Sequence, residues 1–139
     1  MLEKDDDNMK LDIGCLDQDF KKQGYIGIDD GSMDWDSTNP DVFAKAESLP
    51  FKDKTIDEVF SSSCVGMYTE DKALNEIARV LKDDGILELW FDKVDYDRVK
   101  TTIKRLGFNV VELDSEKYDK DYIWLRMKFR RQEYGAIEL

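Results

Sequence analysis

The sequence predicts an α/β fold built on a mostly parallel sheet, and three observations indicate it. Apolar stretches of strand length alternate with segments of helical periodicity, which are clearest in the second half of the chain. Ile86–Phe91 is almost continuously apolar, as expected of a strand that is covered on both faces. Finally, Gly14 and Asp29 each follow a short apolar stretch, so that a glycine turn and a carboxylate are expected side by side at the carboxyl edge of the sheet.

Length and composition indicate one folded domain. A chain of 139 residues can bury a hydrophobic core, and its 41% hydrophobic and 12% aromatic residues argue against disorder. We expect an acidic lead-in over residues 1–9, a single domain over residues 10–131 and a C-terminal tail over residues 132–139.

The charge balance argues against generic binding of nucleic acid. The chain has 32 carboxylates against 21 cations, a net charge of −11, whereas nucleic-acid affinity depends largely on neutralising phosphates. The one basic run, residues 126–131, alternates with apolar residues. It is better explained as the solvated face of a strand than as a nucleic-acid patch.

Composition also bears on location and on metal chemistry. No apolar stretch approaches the roughly 20 residues that span a bilayer, and the acidic N-terminus is unlike a secretory signal. We therefore expect no membrane association and a cytoplasmic location. Cys15 and Cys64 form neither a disulfide framework nor a metal-spacing motif, and histidine is absent. No metal site is expected.

The first half of the chain is expected to contain strands and loops with few helices. The connection from Cys15 to Gly24 is ten residues long, fewer than a crossover between parallel strands usually needs, so that it holds one helical turn at most. Gly31–Pro40 is rich in turn-forming residues and predicts a loop. Strands are expected over Lys10–Ile13, Tyr25–Asp29, Val42–Glu47 and Ile56–Ser61.

The second half carries two helices. Glu70–Leu81 is the clearer one, since Thr69 can cap its start and the turn at residues 83–85 ends it. Its predicted buried face consists of residues at helical spacing, namely Leu74, Ile77, Ala78 and Leu81. The other helix, Asp95–Leu106, ends at Gly107 and places Tyr96, Val99, Ile103 and Leu106 inward.

Two strands close the predicted sheet, Phe108–Leu113 and Tyr122–Phe129. In the last strand apolar residues alternate with polar ones, which is typical of an antiparallel strand. The residues on its apolar side are Ile123, Leu125, Met127 and Phe129.

Five segments of the chain occur in the order and spacing of one known family. They are residues 11–15 (LDIGC), 27–29 (GID), 46–51 (AESLPF), 56–62 (IDEVFSS) and 76–85 (EIARVLKDDG). They resemble the first motif, the acid-ending second strand, the adenine loop, the fourth strand and the helix before the fifth strand of the class I S-adenosylmethionine-dependent methyltransferases. The match covers roughly residues 10–130 and is to their short, methyltransferase type 11-like form.

The resemblance implies a Rossmann-like, mixed seven-stranded sheet of order 3-2-1-4-5-7-6, with strand seven antiparallel and fewer helices in the N-terminal half. It also implies S-adenosylmethionine as the cofactor, bound across the carboxyl ends of strands one to four. Asp29 corresponds to the ribose-binding carboxylate. The other residues that correspond to cofactor contacts are Asp12, Gly14 and Cys15 at the methionine end, Ala46 and Glu47 at the adenine end, and Ser62 and Ser63 on the floor.

The chain departs from the family pattern at several positions. Leu16 replaces a glycine, which makes the first motif degenerate because a Cβ there crowds the cofactor and restricts φ. Lys45 stands where many relatives have an aspartate that accepts a hydrogen bond from the adenine amine. Ser63, Gly66 and Met67 replace His and Glu-His, and the helix after strand one is missing.

Methyl transfer mainly requires alignment of the acceptor with the methyl group, so the lack of histidine does not exclude it. The candidate catalytic residues at the strand ends are Asp17, Tyr68 and Asp92. Asp17 has a simpler reading as a loop residue, and Asp29 has an alternative role as a cap on the turn at Gly31.

Two functions follow from these residues. The first is S-adenosylmethionine-dependent methyl transfer to a small-molecule or protein acceptor. The second is a non-catalytic methyltransferase fold that acts as a binding or regulatory partner, which Leu16 and Lys45 favour. A dinucleotide-binding role is disfavoured because the full glycine-rich spacing is absent. A protein partner or a homodimer is compatible with either function.

Overall fold

A computed structural model of the chain describes residues 8–14, 22–31, 40–62, 71–117 and 123–131. Within these ranges the chain forms seven strands, two α-helices and one short 3-10 helix at Lys93–Asp95. In chain order they are β1 (Lys10–Ile13), β2 (Tyr25–Asp29), β3 (Val42–Phe43), β4 (Ile56–Ser62), α1 (Asp71–Val80), β5 (Leu81–Asp92), α2 (Tyr96–Arg105), β6 (Phe108–Lys117) and β7 (Ile123–Arg131).

The seven strands form one mixed sheet of order β3-β2-β1-β4-β5-β7-β6, which confirms the order expected from the sequence. β1 to β5 pair in parallel, whereas β7 is antiparallel to β5 and to β6. Both α-helices that the structure describes lie in the second half of the chain. Residues 15–21 of the predicted one-turn connection after β1 fall outside the described ranges, and residues 22–24, which complete it, are exposed.

One face of the sheet forms the hydrophobic core. Leu11, Val59 and Leu87 are register neighbours on three adjacent strands, and each is at most 1% exposed. They belong to one buried cluster with the apolar sides of both helices, including Ile77 of α1 and Val99 of α2. Of the residues that helical periodicity predicts to face inward, Leu74, Ile77, Val99 and Ile103 are buried. Ala78, Tyr96 and Leu106 are partly buried against the same cluster, and Leu81 belongs to β5.

The opposite face of the sheet carries charged and aromatic side chains in the same register. Lys10 of β1 pairs with Glu58 of β4, and Phe60 pairs with Glu88 of β5. The ring of Trp90 meets that of Phe60 edge to face, with the ring centroids 5.2 Å apart. Successive side chains of a strand point to opposite faces of the sheet. The alternation of apolar and polar residues along these strands therefore places the apolar residues on the core face and the charged residues on the other face.

The C-terminal end of α1 is fixed by residues distant in sequence. The amides of Lys54 and Thr55 donate to the carbonyl oxygens of Arg79 and Val80 at 3.0 and 2.9 Å. Arg131, the last residue of β7, donates through Nη2 to the Ala78 carbonyl at 2.7 Å and to the following Leu81 carbonyl at 3.0 Å. These bonds satisfy carbonyl groups that have no partner inside a helix.

The expected third strand, Val42–Glu47, is wrong beyond its first two residues. Only Val42 and Phe43 pair with β2. The chain then leaves the sheet, because the Ser48 amide donates to the Lys45 carbonyl at 3.0 Å and closes a turn. Ala46 and Glu47 are the central residues of that turn and are not part of a strand.

Residues 83–85 were expected to form a turn after a helix, but they lie inside β5, which begins at Leu81 directly after α1. The pairing of β5 with β4 shifts register between Ile56 and Glu58, which accommodates the additional residues. Gly85 is needed there for space: a Cβ would lie 2.7 Å from Leu81 Cδ2 and 3.0 Å from the Lys82 carbonyl oxygen.

The last two strands have different bounds from those expected. β6 continues four residues past Leu113 to Lys117, and β7 runs to Arg131. The apolar side expected for β7 is confirmed, since Leu125, Met127 and Phe129 are buried. Among the described helices, none has the length and apolar character required to cross a membrane.

Gly85→Ala is expected to lower the free energy of unfolding by about 2–3 kcal/mol, because the new Cβ overlaps Leu81 and crowds backbone. Gly107→Ala is the matched control: Gly107 has φ +89° with open space around it, so alanine there costs about 1 kcal/mol of backbone strain. Urea unfolding of the two variants measures both. Equal losses would contradict the packing role of Gly85.

Candidate functional site

The carboxyl ends of four parallel strands meet at one edge of the sheet. Ile13 of β1 lies beside Ile28 of β2 and Ser61 of β4, and Ser62 lies beside Trp90 of β5. The residues at the ends of these strands are Gly14, Asp29, Ser62 and Asp92. Ligands of open α/β sheets bind at this edge, so the sequence-predicted residues that the structure describes lie where a ligand is expected.

The turn after β1 requires glycine. Gly14 has a φ of +90°, which side-chain-bearing residues rarely adopt, and its amide donates to the Ile28 carbonyl at 2.7 Å. Ser61 donates through its hydroxyl to the Ile13 carbonyl at 2.9 Å. Asp12, 3% exposed, lies two residues before the turn. The turn is thus bonded to both neighbouring strands.

Asp29 is oriented by its own loop. Its Oδ2 accepts a hydrogen bond from the Gly31 amide at 3.1 Å, which is the capping role considered as an alternative. Its Oδ1 has no partner within the described part of the chain, and the side chain is partly exposed. The cap therefore fixes the carboxylate and leaves one oxygen available, so that the two roles are compatible.

The turn at residues 45–48 brings a backbone amide to the same edge. Ala46 is 8% exposed, yet no acceptor for its N–H occurs among the residues that the structure describes. The side chains of Lys45 and Glu47, on either side of it, are exposed. The turn thus offers a fixed hydrogen-bond donor between two charged side chains.

An arginine–glutamate pair on α1 holds the segment that follows this turn. Arg79 Nη2 donates to Glu76 Oε1 at 2.6 Å and to the Leu49 carbonyl at 3.0 Å, while Nη1 donates to the Phe51 carbonyl at 2.8 Å. Glu76 Oε1 also accepts from the Leu49 amide at 2.9 Å. We call this pair and its contacts the Arg79 clamp.

The Arg79 clamp also sets the charge state of its members. The hydrogen bond from Arg79 holds the pKa of the Glu76 carboxyl below its ordinary value of 4.5, against the opposing effect of burial. Glu76 and Asp53 in turn raise the pKa of Arg79 through hydrogen bonds. The pair is therefore ionised at neutral pH.

Asp92 ends β5 as a buried carboxylate. It is 7% exposed, and its Oδ1 accepts a hydrogen bond from the Val94 amide at 3.0 Å, which starts the 3-10 helix. Ser62 of the neighbouring strand is partly buried. Of the three candidate catalytic residues, Asp92 is the one that the structure describes.

Two features of the sheet were missed from the sequence, one at the amino ends of the strands and one beside the candidate site. Tyr25 donates through its hydroxyl to Glu58 Oε2, and burial together with that carboxylate raises the pKa of Tyr25. Phe43 lies beside Asp29 in the β2–β3 register and is 74% exposed. The strand expected over Val42–Glu47 carries no signal that Phe43 is exposed, and the tyrosine contact depends on strand order.

Several predicted site residues fall outside the described ranges. They are Cys15, Ser63, Asp17 and Tyr68, together with the atypical Leu16. Within the ranges that are described, no group of three or more metal-ligating side chains could hold a metal ion. A cofactor would be held by the Gly14 turn, the Asp29 carboxylate and the Ala46 amide.

Comparison with known proteins identifies relatives by sequence. Residues 11–89 match the model of a family described as Methyltransferase domain. An uncharacterized protein from Methanocaldococcus jannaschii is 38% identical over 155 aligned residues, which cover 96% of this chain and 59% of that protein. The chain thus spans less than two thirds of the length of this relative.

Solved structures share the fold at low sequence identity. A SAM-dependent methyltransferase from Methanosarcina mazei matches with a TM-score of 0.68 and 14% identity, over 97% of this chain and 95% of that one. The [4+2]-cyclase SpnF matches with a TM-score of 0.71 and 16% identity, over 89% of this chain and 75% of that one. Identities this low show a common fold alone.

Glu76→Gln is expected to lower the free energy of unfolding by about 1 kcal/mol at pH 7. Because folding lowers the pKa of Glu76, the stability that its charge provides is complete above pH 4.5 and is lost as the pH falls through the folded-state pKa. The difference from the unsubstituted chain should therefore shrink below pH 4.5, as measured by urea unfolding between pH 7 and pH 3.

The matched control is Asp84→Asn, which removes one charge from an exposed position at the other end of β5. Its unfolding free energy should stay within about 0.5 kcal/mol of the unsubstituted chain throughout. A Glu76→Gln difference that is constant from pH 7 to pH 3 would contradict the ionic role of the Arg79 clamp.

Proposed function

Because this chain belongs to the Methyltransferase domain family, within the class I S-adenosylmethionine-dependent methyltransferases, we propose that it transfers a methyl group to a small-molecule or protein acceptor. S-adenosylmethionine is the cofactor of this class. The observation that carries the proposal is the arrangement of Gly14, Asp29 and the Ala46 amide at the ends of β1, β2 and β3, along one edge of the sheet.

The residues present fit the cofactor at its two recognisable ends. At the methionine end, the positive φ of Gly14 lets backbone approach a ligand closely, and buried Asp12 lies beneath the turn. At the ribose, Asp29 presents Oδ1 while Oδ2 is held by Gly31, so that the carboxylate is already oriented to accept hydrogen bonds from hydroxyls. Cys15, Ser62 and Ser63 complete the methionine end in this proposal.

The adenine end would be recognised mainly by backbone. The Ala46 N–H has no acceptor within the described ranges, and it can donate to a ring nitrogen of the base. Exposed Lys45 cannot accept from the exocyclic amine, so one hydrogen bond common among relatives is lost. Glu47, next to Ala46, is a carboxylate at this end that can accept from that amine.

When bound, S-adenosylmethionine supplies a methyl group on a positively charged sulfur. The task of the chain is to hold the acceptor atom in line with that methyl group, at about 3–3.5 Å. Asp92 at the end of β5 is the acid or base candidate, with Asp17 and Tyr68 as further candidates on the loops. We place the reaction in the cytoplasm, in keeping with the composition.

The second candidate function is a non-catalytic methyltransferase fold that binds a partner. Exposed Lys45 at the adenine end favours it, and so does Leu16 in the first motif. A [4+2]-cyclase has a similar fold, so the fold alone does not specify one reaction. A protein partner or a homodimer belongs to this second candidate.

Titration of the chain with S-adenosylmethionine, followed by calorimetry, tests the first candidate. Asp29→Ala should weaken binding at least about tenfold, because a hydrogen bond to a charged group contributes roughly 1.5–3 kcal/mol. Asp84→Ala is the control that removes the same charge at the opposite edge, and its affinity should be unchanged.

No heat and no thermal shift at millimolar S-adenosylmethionine would exclude the first candidate and favour the non-catalytic one. Unchanged affinity in Asp29→Ala would show that the cofactor lies elsewhere on the chain.

Lys45→Asp should strengthen S-adenosylmethionine binding about three- to tenfold, because it supplies an acceptor for the adenine amine. Lys45→Ala is the control, since it removes the ammonium without adding an acceptor. The two variants are compared in the same titration. If Lys45→Ala strengthens binding as much as Lys45→Asp, the removal of the positive charge is responsible and the hydrogen bond is not formed.

A further inference from the structure

Asp92 is a buried carboxylate with one oxygen in use. It is 7% exposed, and Oδ1 accepts from the Val94 amide at 3.0 Å. Among the residues that the structure describes, none donates to Oδ2 or forms an ion pair with it. Oδ2 is also not among the buried side-chain atoms that lack a hydrogen-bond partner. It therefore reaches the surface at the carboxyl edge, in an orientation that the Val94 amide fixes.

The cations nearest along the neighbouring strand are already paired. Arg126 contacts Asp114 at 2.6 Å, and Lys128 lies 3.4 Å from Glu112 and 3.8 Å from Glu88. A buried carboxylate without a cation is costly unless a ligand compensates it. The free oxygen of Asp92 thus favours a cationic hydrogen-bond donor from outside the chain.

The surroundings of Asp92 suit an organic cation. Trp124 of β7 is its cross-strand partner. Both side chains therefore point to the same face of the sheet, and their Cβ atoms lie within about 5.5 Å of each other. Indole rings attract cations over their faces. Val94, two residues after Asp92, is 82% exposed and offers an apolar contact.

We propose that Asp92 and Trp124 bind the acceptor of the methyl group, and that this acceptor is an amine which arrives as an ammonium ion with an alkyl portion against Val94. The proposal rests on the proposed function and names its substrate class. A small alkylamine and a lysine side chain share this chemistry. In the transfer one proton first leaves the ammonium nitrogen for Asp92 and then solvent, which frees the nitrogen lone pair. That pair then bonds to the methyl carbon, while the carbon–sulfur bond breaks with its electron pair left on sulfur.

The test uses the full chain, labelled with ¹⁵N and titrated with n-butylammonium chloride while amide and indole signals are recorded by NMR. We expect saturable shifts of the Val94 amide and the Trp124 indole N–H, and none with n-butanol, which lacks the charge. Asp92→Asn should weaken the binding at least about tenfold. This variant keeps an oxygen for the Val94 amide, so the turn stays intact.

Asp84→Asn is the charge-matched control, and its affinity for butylammonium should equal that of the unsubstituted chain. Butanol shifts equal to those of butylammonium would overturn the proposal, and so would unchanged binding in Asp92→Asn. Saturation with S-adenosylhomocysteine should leave the ammonium affinity equal or higher. Competition between the two would overturn the proposal, since the cation would then occupy the cofactor's own site.

The source of the amine is decided by a second ligand, a capped Gly-Lys-Gly tripeptide. Tighter binding of the tripeptide than of butylammonium supports a protein acceptor, whereas equal or weaker binding supports a small amine. The test of ammonium binding can be distinguished from the test of the proposed function. Ammonium binding at Asp92 without S-adenosylmethionine binding would remove the transfer reaction and keep the site, and the converse would remove the site alone.

Discussion

The Arg79 clamp is the interaction on which the candidate site depends most. The segment between the turn at residues 45–48 and β4 has no regular structure, so its path is set by its contacts with α1. Arg79 bonds the carbonyls of Leu49 and Phe51, and Glu76 bonds the Leu49 amide. Removing one member of such a partly buried ion pair leaves the other without compensation. The position of the Ala46 amide thus follows from a pair one helical turn apart.

The two halves of the carboxyl edge are held by different means. β1, β4 and β5 lie in the middle of the sheet, and their register fixes Gly14, Ser62 and Asp92. The turn at residues 45–48 follows the edge strand β3, which pairs with β2 over two residues, so that loop hydrogen bonds replace strand pairing there. This division explains how the candidate site residues of the described part of the chain are held along one edge of the sheet.

Much of the fold could be predicted because its signals are local. The bounds of β1 and β2 match the expectation, and helical spacing predicts the central buried residues of both helices, Leu74 and Ile77 of α1 and Val99 and Ile103 of α2. The errors lie in segments whose conformation depends on contacts with another part of the chain. The expected third strand ended early because the turn at Lys45 and Ser48 overrides strand propensity, and residues 83–85 joined β5 because β4 lies alongside. Asp29, Ala46 and Asp92 can be named as candidate site residues from the sequence, whereas the contact of Tyr25 with Glu58, at the opposite edge of the sheet, depends on strand order.

Apolar periodicity and short motifs involve neighbouring residues. For this reason the order of the strands and helices, the family and the residue types at the strand ends can all be recognised in the sequence. The tertiary structure decided which atoms those residues leave available. Asp29 and Asp92 each give one oxygen to a backbone amide two residues later, and Arg131 reaches a carbonyl 53 residues away. The reason is physical: a hydrogen bond between distant segments depends on strand order and register, which are properties of the whole sheet and not of any stretch of the chain.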